Sequence, residues 1–237
     1  KAFAVLICVV LVYVIPHLAS FSANEMVALF EGIDREGAYL WSTVHHMVQL
    51  GLTLIASLTL GVQLRELGFN LKNLNESLSL LKSFAGYFIA FILAGHIILF
   101  FLAPAPVWSH SLSAENVIGE LAFKAFLSGT AEEPLFRGLI MVFLYRFIVG
   151  KKSYMGVKLS HAGVISVILF TIAHIGFEPF SLRITWISPI QLLQAFILGT
   201  FYAYAFDKTG SLLTPILAHN FANLFLTSVG MAWSLAG

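Results

Sequence analysis

Residues 2–14 read AFAVLICVVLVYV, a stretch without a charge or an amide side chain, and the apolar run continues to about Ala19. A run of that length with no small-residue cleavage pattern behind it reads as a membrane span rather than a signal-peptide core. Working outward, comparable runs recur at approximately 41–62, 83–103, 117–148, 160–176, 190–206 and 211–230, which with residues 2–20 gives about seven candidate spans. The composition agrees. Of 237 residues, 59% are hydrophobic and 11% charged, and mean hydropathy is +0.89, whereas a soluble domain carries about 25% charged residues. The expected fold class is therefore all-α: a polytopic membrane helical bundle of about seven transmembrane helices with a buried polar site, built as one integral membrane domain over residues 1–237. The fourth run is too long for one perpendicular crossing, and a break near Gly129 or Pro134 would make eight helices.

The loops alternate in charge. Glu25, Glu31, Asp34 and Glu36 stand against Arg35 after the first span, Arg65, Lys72 and Lys82 follow the second, and Arg146, Lys151, Lys152 and Lys158 follow the fourth. Basic loops on every second turn fit the positive-inside rule, which puts the N-terminus in the cytoplasm and the C-terminus outside. Leu67, Leu71, Leu74, Leu78 and Leu81 recur at spacings of four and three among polar residues. That pattern fits an amphipathic helix on the membrane surface as well as it fits an ordinary connector. The single cysteine, Cys8, excludes an internal disulfide and any multi-cysteine metal site, and the lack of a basic tract argues against nucleic acid as a partner.

Ionisable groups inside a bilayer are costly, about 2.5–3.5 kcal/mol each on insertion scales, and usually mark function. The fourth span holds Glu120, Lys124, Glu132, Glu133 and Arg137, the fifth holds His174, and the seventh holds His219, Asn220 and Asn223. On a regular helix Glu133 and Arg137, four apart, share a face and pair, which leaves Glu132 pointing at another helix. His219 and Asn223 likewise share a face, and Glu120 with Lys124 reads as a simple ion pair. His45 and His46 stand near the start of the second span, where a histidine costs little, and read as structural; His96 has no obvious partner.

A carboxylate and an imidazole in a shielded, wet cavity can activate water, and a second imidazole with an amide can donate hydrogen bonds to an oxyanion. Glu132 with His174, facing His219 with Asn223, supplies both halves of peptide-bond hydrolysis. The same atoms also allow a zinc site made of Glu132, His174 and His219, although the His-Glu-x-x-His pattern is absent. A transporter also uses buried Glu and His, but no internal repeat is visible.

Three stretches carry a resemblance. Glu132-Glu133-Pro134-Leu135-Phe136-Arg137-Gly138 has the form EExxxR followed by Gly, Phe170-Thr171-Ile172-Ala173-His174 has the form FxxxH, and His219-Asn220-Phe221-Ala222-Asn223 places Asn four residues after His. In this order, each on a candidate span, they resemble the CPBP (CAAX protease and bacteriocin-processing, or Abi) intramembrane proteases, which include the type II CAAX prenyl endopeptidases. The resemblance covers about residues 117–230. It implies an intramembrane endopeptidase in a prokaryotic plasma membrane, acting on a membrane-associated peptide or protein that is prenylated in some members. It further implies that Glu132, assisted by His174, activates water, that His219 and Asn223 stabilise the oxyanion, and that Glu133 and Arg137 support the site. A metal-free glutamate mechanism is the preferred reading and zinc the alternative. Some members act instead as membrane interaction or regulatory proteins, so a non-proteolytic role is the alternative function.

Overall fold

The computed structural model describes residues 1–30, 32–102, 107–154, 156–178, 181 and 183–236. Glu31 of the acidic loop and residue 103 of the third candidate span lie outside the described residues. The chain is almost wholly helical: α1 (Ala2–Val27), α2 (Leu40–Thr59), α3 (Leu74–Leu102), α4 (Ala114–Phe126), α5 (Ser128–Glu133), a π-helical stretch (Pro134–Met141), α6 (Val142–Tyr145), α7 (His161–Ile172), α8 (Pro189–Thr209) and α9 (Leu213–Ala236). Among the described residues two small antiparallel hairpins interrupt this pattern, β1 (Lys151–Tyr154) with β2 (Val157–Ser160) and β3 (Gly176–Phe177) with β4 (Ile184–Trp186). Neither was visible as a strand signal in the sequence.

Packing follows the residue pattern. On α1 the buried positions Ala4, Cys8, Val12, Ile15, Ala19 and Ala23 form one stripe, while Phe3, Leu6 and Phe21 face outward. The small residues of that stripe let α2 lie close along it. On α2 the buried stripe is polar, with His45, Gln49, Thr53 and Ser57 inside and Met47, Ile55 and Leu58 exposed. A helix that turns its polar groups inward and its apolar groups outward is built for lipid, and the protein is an integral membrane protein. At the centre, α9 packs on α3, α4, α5 and α8, and α7 packs on α8 and the π-helical stretch.

Among the described residues, three helices are long and apolar enough to cross a membrane by length and composition, Ala2–Phe30, Leu74–Ile98 and Pro189–Thr209. The fifth expected span is shorter than expected, because α7 has 12 residues. At 1.5 Å per residue that is about 18 Å, against a hydrocarbon core of about 30 Å. The fourth expected span divides. Its helix is interrupted at Leu127, two residues before Gly129, and it does not break at Pro134 but passes into π-type bonding there. Pro134 has no N–H to give an α-helical bond, and a π turn shifts the pattern by one residue.

The stretch from Leu64 to Leu81 is not one surface helix. A short 3-10 turn (Leu64–Leu67), closed by a capping box between Gln63 and Glu66, ends at Gly68 with φ 95°. A side chain at Gly68 would meet the Phe206 ring at 2.6 Å. The connector docks on the α8–α9 turn instead: the Gly68 carbonyl accepts from Leu212 N at 2.8 Å, and Asn70 and Asn73 donate to the carbonyls of Gly210 and Thr209, each at 3.0 Å. Leu67 is buried whereas Leu71 is exposed, so the leucines do not share a face. The expected ion pair of Glu120 with Lys124 also fails to form within 4 Å among the described residues; Glu120 accepts from Trp108 Nε1 at 3.3 Å.

Asp34, one of the acidic loop residues, gathers the start of α2. Its carboxylate accepts from the backbone N–H groups of Ala38, Tyr39 and Leu40 at 2.7–2.8 Å. Burial pushes its pKa up, but these three bonds outweigh burial and hold it below the usual carboxylate range. A carboxyl with a lowered folded pKa stabilises the fold above its unfolded pKa and loses that contribution as pH falls through the folded value. Asp34→Ala is expected to cost about 1.5–3 kcal/mol, the usual contribution of hydrogen bonds to a charged acceptor. Thermal unfolding in detergent checks this: the variant melts below the wild type at neutral pH, and the gap closes in acid. A gap that persists in acid would rule out the carboxylate as its source.

Candidate active site

The site begins with two adjacent carboxylates that the helix sends to different neighbours. Glu133 turns into the protein and is fully buried together with Arg137. Arg137 Nε lies 3.2 Å from Glu133 Oε2, and Arg137 Nη1 donates to Glu133 Oε1 at 3.3 Å. The pairing expected from the i, i+4 spacing is therefore present, although the backbone between the two residues is π-helical rather than regular. Arg137 Nη2 donates to the Gly199 carbonyl of α8 at 2.9 Å, and the guanidinium carbon lies 4.4 Å from the centroid of the Phe170 ring.

Glu133 Oε1 is shared. His219 Nδ1 of α9 lies 2.7 Å from it. Facing a carboxylate, Nδ1 is the donor, and this bond orients the ring so that Nε2 is available to other groups. The His219 ring also stacks on Tyr202, with centroids 5.1 Å apart and planes at 11°. One turn along α9, Asn223 donates from Nδ2 to Ser128 Oγ at 3.2 Å. Between them Asn220 fastens α9 to the start of α5: its Oδ1 accepts from Gly129 N at 2.6 Å and from Ser128 Oγ at 3.2 Å. A Cβ at Gly129 would stand 2.7 Å from His219 Cβ and 3.0 Å from Asn220 Oδ1. Gly129 is therefore the place where α5 and α9 touch.

His174 does not sit inside a helix. It lies just beyond the C-terminus of α7, with Nδ1 donating to the Phe170 carbonyl at 2.7 Å. That local bond fixes the ring and directs Nε2 away from the helix. His96 makes the same type of bond to the Ile92 carbonyl at 2.9 Å, but it packs against Trp233, away from this cluster.

Two cavities meet at His174 and Gln191. One, of about 540 Å³, holds Glu132 and His174 among Trp41, Phe136, Trp186 and Gln191. The other, of about 240 Å³, holds His174, His219 and Asn223 with Gln191 and Gln194. The expected residues are thus brought to one locality, in two halves joined by His174. The zinc set is not assembled in the same sense. Among the described residues no three His, Cys, Asp or Glu side chains are grouped to hold a metal ion.

Glu132 meets a histidine whose place near the start of the second apolar run suggests a structural role. His46 Nε2 of α2 lies 3.2 Å from Glu132 Oε1. Nothing local in the sequence connects residue 46 with residue 132.

Residues 114–225 match the family model described as Type II CAAX prenyl endopeptidase Rce1-like. The match spans all three motifs and agrees with the resemblance they carry. No curated protein and no solved structure matches the chain.

Removing one partner from a buried ion pair leaves an uncompensated charge and typically costs 3–5 kcal/mol. Arg137→Met is therefore expected to lower the detergent melting temperature sharply, and adding Glu133→Gln is expected to recover part of the loss. If the double variant is no more stable than Arg137→Met alone, the loss does not come from a stranded Glu133 charge.

Proposed function

We propose, on the premise that residues 114–225 belong to the Rce1-like family, that this protein is an intramembrane endopeptidase that hydrolyses a peptide bond in a membrane-associated peptide or protein. The observation that carries this reading is the unequal treatment of the two carboxylates: Glu133 is held in a fully buried ion pair with Arg137 and bonded to His219, while Glu132 lines a cavity shared with His174. A carboxylate with an oxygen turned to a cavity can take a proton from water; one locked in a buried ion pair cannot.

In the proposed reaction Glu132, assisted by His174, takes a proton from water as its oxygen bonds to the substrate carbonyl carbon. Negative charge moves to the carbonyl oxygen, where Asn223 Nδ2–H and protonated His219 Nε2–H donate to it. The tetrahedral species then collapses, the C–N bond breaks, and the proton held by Glu132 passes to the leaving amine. Glu133 and Arg137 hold His219 in place. The family points to a prenylated substrate, and the apolar and aromatic walls of the larger cavity, Pro16, Trp41, Phe136 and Trp186, support an apolar group beside the scissile bond. We place the remaining helices in the bilayer too, giving about seven spans, with the N-terminus in the cytoplasm and the C-terminus outside. A prokaryotic plasma membrane is the setting that the family analogy favours.

The test is cleavage of prenylated and unprenylated peptides by purified protein in detergent, wild type beside Glu132→Ala, with and without chelator. Cleavage by wild type alone, indifferent to chelator, is expected. Chelator sensitivity would move Glu132, His174 and His219 to zinc ligands, and full cleavage by Glu132→Ala would reject Glu132 as the base. Asn223→Ala is expected to lower kcat by about 10²–10³, the usual cost of losing one oxyanion donor. A non-proteolytic regulatory role would show itself as a cellular phenotype that Glu132→Ala leaves intact.

A further inference from the structure

We infer that His46, which lies in the N-terminal half outside residues 114–225, is the positioning residue of Glu132. It fixes one carboxylate oxygen so that the other is presented to the cavity. The inference rests on the reading of Glu132 as the base. Among the described residues, Glu132 makes its side-chain hydrogen bond to His46 Nε2, at 3.2 Å through Oε1. Glu133, by contrast, is held by Arg137 and His219 together.

The His46 ring is itself fixed from two further sides. Its Nδ1 is bonded to the Ser42 carbonyl one turn back at 2.8 Å, and its edge meets the Phe123 ring of α4, with centroids 4.8 Å apart and planes at 72°. The Ser42 carbonyl can only accept, so Nδ1 carries a hydrogen. An ionised carboxylate can also only accept. A hydrogen bond between the two side chains therefore needs a hydrogen between Nε2 and Oε1, and at 3.2 Å it is a long bond that sets position rather than a strong one. A ring held on three sides and bonded to one oxygen sets the rotation of the carboxylate. Wild-type placement matters because misplacing a reacting group by about 1 Å can cost about 10²-fold in rate.

The neighbouring histidine does something different. His45 is buried and bonded to Ser20 Oγ and Gln49 Oε1, both at 3.2 Å, which ties α2 to α1. Of two adjacent histidines, one therefore serves the packing of the first two helices and the other reaches the site.

The experiment compares His46→Leu, which removes the donor, with His46→Gln, whose amide can still donate to Glu132. Cleavage of a peptide from the panel above is measured for kcat and KM, and thermal unfolding is measured for each variant. His46→Leu is expected to lose about 10²-fold in kcat with KM near wild type and a small drop in melting temperature, and His46→Gln to recover much of the loss. Wild-type kcat in His46→Leu, or a loss that His46→Gln does not reverse, overturns the assignment. Glu132→Ala run in parallel separates the two readings. Full activity there removes the base itself, whereas an inert Glu132→Ala beside an unimpaired His46→Leu removes only the role of His46. A cycle of His46→Leu, Glu132→Gln and the double variant, read by melting temperature, needs no substrate. Non-additive shifts are expected, and additive ones overturn the pairing.

Discussion

The structure turns on the chain of contacts from Arg137 through Glu133 to His219. A carboxylate and a guanidinium with no solvent exposure are costly to desolvate, and a buried ion pair gives little net stability for that cost. What this one supplies is placement. Arg137 reaches Glu133 on its own helix, the Gly199 carbonyl on α8 and the face of Phe170 on α7, while Glu133 reaches His219 on α9. Four helical segments are thereby referred to a single polar point. A displacement of any of them would strand a charge where no water can solvate it, so the arrangement has few alternatives of similar energy.

That point also divides the labour of the two carboxylates. Glu132 and Glu133 are neighbours in sequence, so their environments differ only because successive helical positions face different ways. The inward position is paired with a guanidinium and bonded to an imidazole. The other looks across to α2 and into a cavity, with one hydrogen-bonded contact and an oxygen free of it. Two groups of one chemical type in two environments are the usual basis for dividing acid–base from supporting roles. The π-helical stretch begins immediately after them, at Pro134, and such stretches are frequent at functional sites.

Much of this was legible in the sequence because it depends on local spacing. Apolar runs marked most of the long helices, and the four-residue spacings foretold that Glu133 would pair with Arg137 and that His219 and Asn223 would share a face. What was missed depends on events beyond the local period. The interruption at Leu127 carries no proline or glycine at that residue. The shortness of α7 is hidden because the apolar run continues past the helix into the turn that holds His174. The Leu64 to Leu81 pattern fits a surface helix well until Gly68 and Asn73, both at positive φ, bend the chain onto the α8–α9 turn. The contact of His46 with Glu132 stayed out of reach for a similar reason: the two residues lie 86 apart, and a histidine near the start of an apolar helix has an adequate local explanation.

The case of His46 bears on how the two halves of the chain relate. The family match begins at residue 114, and the first three candidate spans carry no signature of chemistry, so they invite a reading as anchor alone. Yet the larger cavity takes Pro16 from α1 and Trp41, His45 and Gln49 from α2 as part of its wall. The buried polar stripe of α2 gains a purpose from this. His45 and Gln49 satisfy one another and fasten α2 to α1, and a helix so fastened can carry His46 to a fixed position against α5. Without α1 and α2, Glu132 would lose both its hydrogen-bonded neighbour and one side of the enclosure that separates it from lipid. In the proposed mechanism the motifs of the second half supply the reacting groups, and the first half supplies the geometry in which one carboxylate is free to react.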